Sequence, residues 1–225
     1  MLFNLSQKKL VLTAVFSAAI FAVLAWLVKY SSAFQNFDNG AVIFFAQGRC
    51  DFSNAFFLAV TFFGSEEFII GCSILLGVIF FIYRKIPDYI LFAGTIIASS
   101  GFVYLLKALT ERVRPDIIAS VYAETSPSFP SGHAALSVIF YGLLAYLLAK
   151  NTKIKQTRAN LLAGWIFLFA MIGYSRLHLG VHFPSDVLAG YAAGFFWLSI
   201  GIILFERLFS DKLTWWQKYL NKLRS

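Results

Sequence analysis

Residues 128–149 read SFPSGHAALSVIFYGLLAYLLA, a short polar segment followed by a long apolar run. Ser131 is a favourable N-cap residue, and Gly132 lets the backbone approach an anion closely. The first turn of such a helix offers free N–H groups and the positive end of the helix dipole, both of which favour a phosphate. His133 lies in that turn and can transfer a proton near neutral pH. Alone, the segment fits either an anion-binding helix start or an ordinary capped helix.

The composition on either side of this segment indicates a polytopic membrane protein. Of the 225 residues, 59% are hydrophobic and only 13% are charged, which is too apolar for a soluble domain. The net charge of +8 does not indicate nucleic-acid binding, because the basic residues lie between apolar runs rather than in one patch. Cys50 and Cys72 define no disulfide framework, and Cys72 is expected to be a free thiol within a span.

Six apolar runs can span a bilayer if some of them borrow flanking residues. We therefore predict an all-α fold, a six-helix transmembrane bundle that forms one integral membrane domain over residues 1–225. The first run follows two lysines, as a signal peptide would, but its 19 residues exceed the usual apolar core of about 7–15, so we expect an uncleaved anchor. Short interfacial helices are expected in the first outer loop, at residues 41–46 and 53–63. The predicted spans are 10–28, 68–83, 89–106, 134–149, 161–174 and 187–205.

The basic residues predict the orientation of these spans. With the N-terminus inside, one face carries 13 of the 19 Lys and Arg residues, so the positive-inside rule places both termini in the cytoplasm. The basic and aromatic tail after residue 205 is expected to be an amphipathic helix on the inner leaflet. Basic residues on the outer face need another reason, and binding an anion is one. They are Lys29, Arg49, Lys107, Arg112, Arg114 and Arg176.

The third span ends at the outer face with Lys107 and, six residues later, the pair Arg114-Pro115. Arg114 can donate bidentate hydrogen bonds to two phosphate oxygens, while Lys107 adds a point charge. Alternatively, Lys107 is a snorkelling lysine at a span end and Arg114 is a charge at the rim. Phosphate binding by this pair is favoured only if a second charged segment reaches the same face.

That second segment contains Arg176, His182 and Asp186, with Pro184 suited to the first turn of the sixth span. His182 and Asp186 are four residues apart and can meet across one helical turn. An aspartate that accepts from one imidazole nitrogen makes the other nitrogen a nucleophile. A structural His–Asp pair that caps the helix is the alternative. His178 has no such partner in sequence and is expected at the interface.

All three segments fall on the outer ends of the third, fourth and sixth predicted spans. The common face collects three cations, two histidines, one carboxylate and a helix N-terminus. Phosphoryl transfer needs such a set, because it requires charge stabilisation, an in-line nucleophile and an acid for the leaving group. A transporter or channel with a basic vestibule would explain the cations, but not the spacing of the histidines and the aspartate.

Together the three segments resemble the three-part signature of the type 2 phosphatidic acid phosphatase (PAP2) superfamily, within residues 107–186. The six-span plan is similar to that of the bacterial membrane lipid phosphatases. The resemblance implies a six-helix bundle, no metal or other cofactor, and a covalent phosphohistidine intermediate. It implies that His182 is the nucleophile, Asp186 its partner, and His133 the acid that protonates the leaving oxygen. The implied phosphate-binding residues are Lys107, Arg114, Ser131, Gly132 and Arg176.

The resemblance leaves the lipid open. The expected substrates are undecaprenyl diphosphate, phosphatidylglycerophosphate and phosphatidic acid, with lipid A as a further alternative. Soluble vanadium haloperoxidases share the signature, but the six apolar runs argue against that class. The implied location is the bacterial cytoplasmic membrane, with the site facing outward. The implied partners are a lipid phosphate and the bilayer, and no nucleic acid is expected. The oligomeric state stays open. Glu124 resembles an acidic loop residue of the phosphatidylglycerophosphatase B group, or is a solvated loop charge.

The predicted depth of the cations suggests how a lipid reaches them. They lie at span ends, at headgroup depth, so a lipid phosphate can slide in from the outer leaflet with its tails in hydrocarbon. We expect it to pass through a gap flanked by the third span, on the side of the fifth. The small residues of the sixth span are expected to serve close helix packing instead.

Overall fold

The computed structural model describes residues 6–150 and 152–222 of the chain, with side chains as far as residue 207. The regular structure in these ranges is entirely helical, which confirms the all-α prediction. The side chains of the tail predicted to be amphipathic lie outside the described ones. The helices are α1 (Gln7–Tyr30), α2 (Ser32–Ala46), α3 (Asp51–Phe62), α4 (Glu66–Ile82), α5 (Ile86–Thr110), α6 (Gly132–Lys150), α7 (Lys155–His178) and α8 (Pro184–Lys222).

Five of these helices, α1, α5, α6, α7 and α8, are by themselves long and apolar enough to cross a membrane. Helix α4 has 17 residues and qualifies only together with α3, from which it is bent by 42°. The predicted span over 68–83 corresponds to α4, and the helix expected over 53–63 corresponds to α3. Ser65 explains the restart, because its side chain accepts a hydrogen bond from Phe68 N at 3.2 Å as an N-cap.

Helix α6 forms the centre of the bundle and packs against α5, α7 and α8. It is apolar around its whole circumference, and most of it is buried, as expected for a helix without a solvent or lipid face. Gly190 and Gly194 of α8 lie against Ser131 and Val138 at positions where a Cβ atom would clash. The small residues of the last span therefore allow two helices to approach closely, as predicted.

The local signals at the helix ends bring the polar segments to one end of the bundle, called the site end below. Helix α6 begins after Ser131, whose Oγ accepts from Ala134 N at 3.4 Å, and α8 begins with Pro184. Ser131 N donates to Asp186 O at 3.0 Å, so the starts of α6 and α8 are joined directly. Glu111, in the left-handed region with φ 45°, ends α5 and turns the chain into the segment that crosses the site end.

Helices α2 and α3 pack over the site end against α7, and α2 also contacts α8. Arg49, between α2 and α3, holds this layer in place: its Nε donates to His178 O at 2.5 Å and its Nη1 to Ala119 O at 2.9 Å. His178, expected at the interface, is instead buried, with its ring 4.4 Å from that of Phe57. The layer formed by α2 and α3 therefore covers the site end of the bundle.

Candidate active site

His182 and Asp186 meet across the first turn of α8, and both side chains are almost completely buried. His182 Nδ1 lies 3.4 Å from Asp186 Oδ2 and 3.3 Å from Ser128 Oγ. The same Oδ2 atom accepts hydrogen bonds from Ser128 Oγ and from Phe183 N, the latter at 2.9 Å. The Oδ2 atom is therefore fixed by two donors, and it orients the imidazole ring.

The other ring nitrogen of His182, Nε2, lies 3.2 Å from Arg114 Nη1. Because a guanidinium can only donate, Nε2 accepts, and the proton of the neutral ring belongs on Nδ1. Burial lowers the pKa of His182 well below its usual value, and the nearby charges of Arg176 and Arg114 lower it further. The ring is thus a neutral base at neutral pH, with a lone pair beside a cation that can bind phosphate.

Arg176 is completely buried and reaches the site from the end of α7. Its Nη1 donates to Thr61 Oγ1 at 2.7 Å and to the Tyr122 hydroxyl, and its Nη2 is paired with the Glu124 carboxylate. Its Nε has no hydrogen-bond partner among the described residues. A buried donor without a partner is costly, so an anion that accepts from it would be stabilised.

Glu124 is part of the site rather than a solvated loop charge. Its carboxylate is paired with both Arg114, at 2.5 Å, and Arg176. Burial alone would raise the pKa of Glu124, but the charges of Arg176 and Arg114 outweigh that effect and lower the pKa to about 2. An ionised carboxylate thus pairs with the two arginines that are expected to bind phosphate.

Lys107 lies at the site end of α5, where its Nζ donates to Pro127 O and to Ser126 Oγ, the latter at 3.3 Å. Arg114 holds the same segment, since its Nε donates to Ser126 O at 2.8 Å. Two of the predicted cations are therefore attached to the segment that leads into α6. The third, Arg176, joins them through Glu124.

A cavity of about 570 Å³ opens beside these groups. Its polar floor contains Lys107, Gly132, His133, His182 and Glu124. The more exposed residues of its lining, called its mouth below, belong to the α3–α4 junction and to α5. Ser131 does not line it, because its Oγ caps α6 and its N–H binds α8. The mouth includes Leu58, Phe62, Glu66, Glu67 and Tyr104.

The sequence of residues 88–210, more than half of the chain, matches the family model described as the PAP2 superfamily. The chain belongs to the PAP2 superfamily. Phosphatidylglycerophosphatase B of Bacillus subtilis is 31% identical over 188 residues, which are 82% of this chain and 87% of that protein. Lipid A 1-phosphatase of Rhizobium johnstonii is 32% identical over 122 residues, which are 50% of this chain and 46% of that protein.

The fold agrees with the same PAP2 assignment. The crystal structure of a transmembrane PAP2 type phosphatidylglycerolphosphate phosphatase from Bacillus subtilis matches with a TM-score of 0.82 at 28% identity, over 87% of this chain and 96% of that one. The protein is thus a PAP2 phosphatase with several membrane-spanning helices, as the three sequence segments predict. Among the described residues, no three His, Cys, Asp or Glu side chains come together in a way that could hold a metal ion.

Several residues of the candidate site were not predicted. Ser128 lies in the SFPSGH segment itself, but its hydroxyl binds Asp186, 58 residues away in sequence. Thr61 belongs to an apolar helix, and Tyr122 to a segment without periodicity, so neither carries a local signal. The sequence identifies Arg112 only as a basic residue on the outer face. These residues are recognisable only from contacts between distant parts of the chain.

Proposed function

We propose that this PAP2 phosphatase hydrolyses the phosphomonoester of a membrane lipid through a phosphohistidine on His182, without a metal ion. One observation carries the proposal: His182 Nε2 accepts from Arg114, while Nδ1 is held by Asp186. A neutral imidazole in this tautomer has its nucleophilic lone pair on the nitrogen nearest the cations. Phosphatidylglycerophosphate and phosphatidic acid are the proposed substrates.

In the first step, the substrate phosphate displaces Glu124 from the arginines and binds Lys107, Arg114 and Arg176. His182 Nε2 attacks phosphorus, a P–N bond forms, and the bond from phosphorus to the lipid oxygen breaks. His133, which lines the same cavity, gives its proton to that oxygen. The cations and the first-turn N–H groups of α6 stabilise the charge on the equatorial phosphate oxygens.

In the second step, a water molecule attacks the phosphohistidine from the side that the lipid alcohol has left. His133, now a base, takes a proton from this water, the P–N bond breaks, and inorganic phosphate leaves. Asp186 remains ionised and stabilises the positive charge on the ring in both steps. Each proton that His133 gives in the first step is recovered in the second, so no cofactor is consumed.

The proposed lipid class rests on the cavity and on the relatives. The mouth of the cavity combines apolar side chains, such as Leu58 and Phe62, with polar ones. Such a lining suits a headgroup whose acyl chains stay in the bilayer. The relative that covers most of the chain acts, by its name, on phosphatidylglycerophosphate. The similarity to Lipid A 1-phosphatase supports lipid A as a second candidate, over half of the chain.

We further propose that the enzyme resides in the bacterial cytoplasmic membrane with the site end outward. The proposal is supported by the excess of Lys and Arg on the opposite face, 13 of 19 if the termini are inside. Lys107, Arg112, Arg114 and Arg176 are exceptions to this bias that the site explains. Cysteine labelling at Ala123 in intact cells tests it, since labelling only after the inner face is opened would reverse the orientation.

The central experiment measures phosphate release by the purified full-length protein in detergent with EDTA. Phosphatidylglycerophosphate, phosphatidic acid, undecaprenyl diphosphate and a lipid A phosphate are compared. We expect full activity in EDTA, inhibition by vanadate, and the highest kcat/KM for one of the first two lipids. A labelled phosphoenzyme should form with the native protein and be absent from His182→Ala. Loss of activity in EDTA that magnesium restores would contradict the mechanism.

A further inference from the structure

A second polar cluster lies next to the His182–Asp186 pair, and none of its members lines the cavity. Arg112 Nη1 donates to Asp186 Oδ1 at 2.5 Å and to Ser185 Oγ at 2.7 Å. Arg112 Nη2 donates to Asp38 Oδ2 at 2.7 Å. The Arg112 side chain is 13% exposed, and those of Asp38 and Asp186 are 1% and 0% exposed. Two buried carboxylates thus share one guanidinium.

Asp38 brings helix α2 into this cluster. Its Oδ1 accepts from Ser185 N at 3.2 Å, and its Oδ2 accepts from Ser185 Oγ as well as from Arg112. One carboxylate therefore binds both Arg112 and the first turn of α8. Arg112 also lies over the Phe183 ring, with its guanidinium carbon 4.1 Å from the ring centroid. Arg112 is held on three sides, so it cannot change its position relative to Asp186 without breaking these contacts.

The charges of the cluster also have a consequence for catalysis. A buried carboxylate such as Asp186 needs a positive partner, which Arg112 supplies. Asp38 binds the other half of the same guanidinium, so Arg112 does not fully neutralise Asp186. Negative charge therefore remains beside His182 Nδ1. A phosphorylated imidazole that keeps its Nδ1 proton is cationic, and this negative charge stabilises it.

We propose that Arg112 and Asp38 are positioning residues for the nucleophile, which they serve through Asp186 without touching the substrate. Arg112 sets the direction of the Asp186 carboxylate, and Asp38 sets the position of Arg112 relative to α8. The inference rests on the proposed roles of His182 and Asp186. It adds a residue from α2, outside the matched family region of residues 88–210, to the catalytic apparatus.

The first test uses the full-length enzyme in detergent and a short, water-soluble phosphate ester. A displacement of about 1 Å in a reacting group can cost about 10²-fold in rate. We therefore expect Arg112→Met to lower kcat about 100-fold and Asp38→Asn about 10-fold, with KM changed less than about twofold. Arg112→Lys should have a kcat at least about tenfold higher than that of Arg112→Met, because lysine keeps the positive charge although it lacks the bidentate guanidinium. A raised KM with unchanged kcat would overturn the proposal.

The second test separates positioning from a general contribution to stability. The rate of phosphoenzyme formation is measured in a single turnover for Arg112→Met, both alone and combined with Asp186→Asn. If Arg112 acts through Asp186, the second substitution removes most of the effect of the first, and the double variant is less than about threefold slower than Asp186→Asn. If Arg112→Met slows both backgrounds equally, its role is structural and the proposal fails.

Arg49→Met is the matched control. Arg49 also fastens the layer of α2 and α3 to the site end, but it donates to His178 O and Ala119 O and does not touch Asp186. Its effect, whatever its size, should be the same on both backgrounds. Should Arg112→Met fail to fold, Asp38→Asn in the same two backgrounds decides the question. If His182→Ala is active, the proposed function itself is refuted. If His182→Ala is inactive but the effects of Arg112→Met and Asp186→Asn on the rate are additive, only this inference is refuted.

Discussion

The two histidines of the site lie in very different surroundings. His182 is 1% exposed, and both of its ring nitrogens have polar partners: Asp186 and Ser128 on one side, Arg114 on the other. His133 is only partly buried, lines the cavity, and makes no side-chain hydrogen bond to any of the described residues. One ring is therefore fixed by hydrogen bonds on both nitrogens, whereas the other has none among the described residues.

This difference agrees with the two roles that we propose. A nucleophile must meet phosphorus in line, so fixing its ring before the substrate arrives lowers the cost of reaching the transition state. A general acid must reach an oxygen whose position depends on the lipid, so a ring whose nitrogens are not already bound is suitable. The polar contacts around His182 also come from three separate parts of the chain, whereas His133 has no such contacts among the described residues. Substitutions at the two positions should therefore fail in different ways.

The largest effect is expected for His182→Ala. Without the nucleophile the phosphoenzyme cannot form, so the second step cannot occur. Removal of a nucleophile typically lowers kcat by a factor of about 10⁴–10⁶. Activity on all lipids and on a soluble phosphate ester should fall to background. The measurement is phosphate release together with trapping of the labelled phosphoenzyme. A phosphoenzyme in this variant would remove the distinction between the two histidines.

The next effect is expected for His133→Ala, and it should depend on the leaving group. General acid catalysis contributes about 10²–10⁴ in rate, which a lipid alcohol needs and a nitrophenolate hardly needs. We expect a loss in that range with phosphatidic acid and a loss below about tenfold with an aryl phosphate. The ratio of the two kcat/KM values measures this directly. Equal losses with both substrates would show that His133 is not the acid.

A smaller effect should come from the cavity mouth that leads to His133. Tyr104 lines this mouth and donates to Glu66 across it, whereas Gly101, one turn away on α5, has no neighbouring atom within 4 Å of its Cβ position. A larger ring that raises the barrier to entry by about 1 kcal/mol would slow the reaction about fivefold. Tyr104→Trp should slow a long-chain lipid phosphate by about this factor.

Gly101→Trp is the control for this substitution and should leave both long-chain and soluble substrates unaffected. Tyr104→Trp should also spare a short soluble phosphate ester, because no acyl chain then has to pass the larger ring. If Tyr104→Trp slows the two substrates equally, the lipid reaches the site by another route.

Glu124 allows a test of whether its carboxylate competes with phosphate for the arginines. Its carboxylate is ionised and paired with Arg114 and Arg176, so an incoming phosphate must displace it. Glu124→Gln removes the competing charge and should strengthen inhibition by vanadate about threefold. The inhibition constant for vanadate measures this, with Glu67→Gln at the mouth of the cavity as the control. Weaker inhibition would mean that Glu124 orients the arginines more than it competes for them.

The smallest effect concerns pH, and it follows from the lowered pKa of His182. An ordinary histidine with a pKa of about 6.5 would be about 90% protonated at pH 5.5, and kcat/KM would fall about eightfold below its value at pH 7. Because burial lowers the pKa of His182, its neutral form persists to lower pH. We expect less than a twofold decrease after correction for the ionisation of the substrate phosphate. An eightfold decrease would show that His182 titrates normally.

The helices themselves could largely be predicted from the sequence. Apolar length identified the spans, Ser131 and Pro184 marked two helix starts correctly, and the four-residue spacing of His182 and Asp186 predicted their contact. These signals are local, since caps and neighbouring turns depend only on residues within about four positions. The separation of α3 from α4 was also predicted, as a helix over 53–63 before a span over 68–83, but α4 begins at Glu66 because Ser65 is its N-cap.

By itself, then, the sequence determined which candidate site residues lie together at one end of the bundle. Only the tertiary structure decided how they are held. Asp38 meets Ser185 across 147 positions and Arg112 meets Asp186 across 74, and Glu124 takes the arginines rather than facing solvent. The physical reason is burial: a charge removed from water must find a partner wherever the packed helices place one. The partner of each buried charge depends on the arrangement of all the helices, so it cannot be predicted from a short segment.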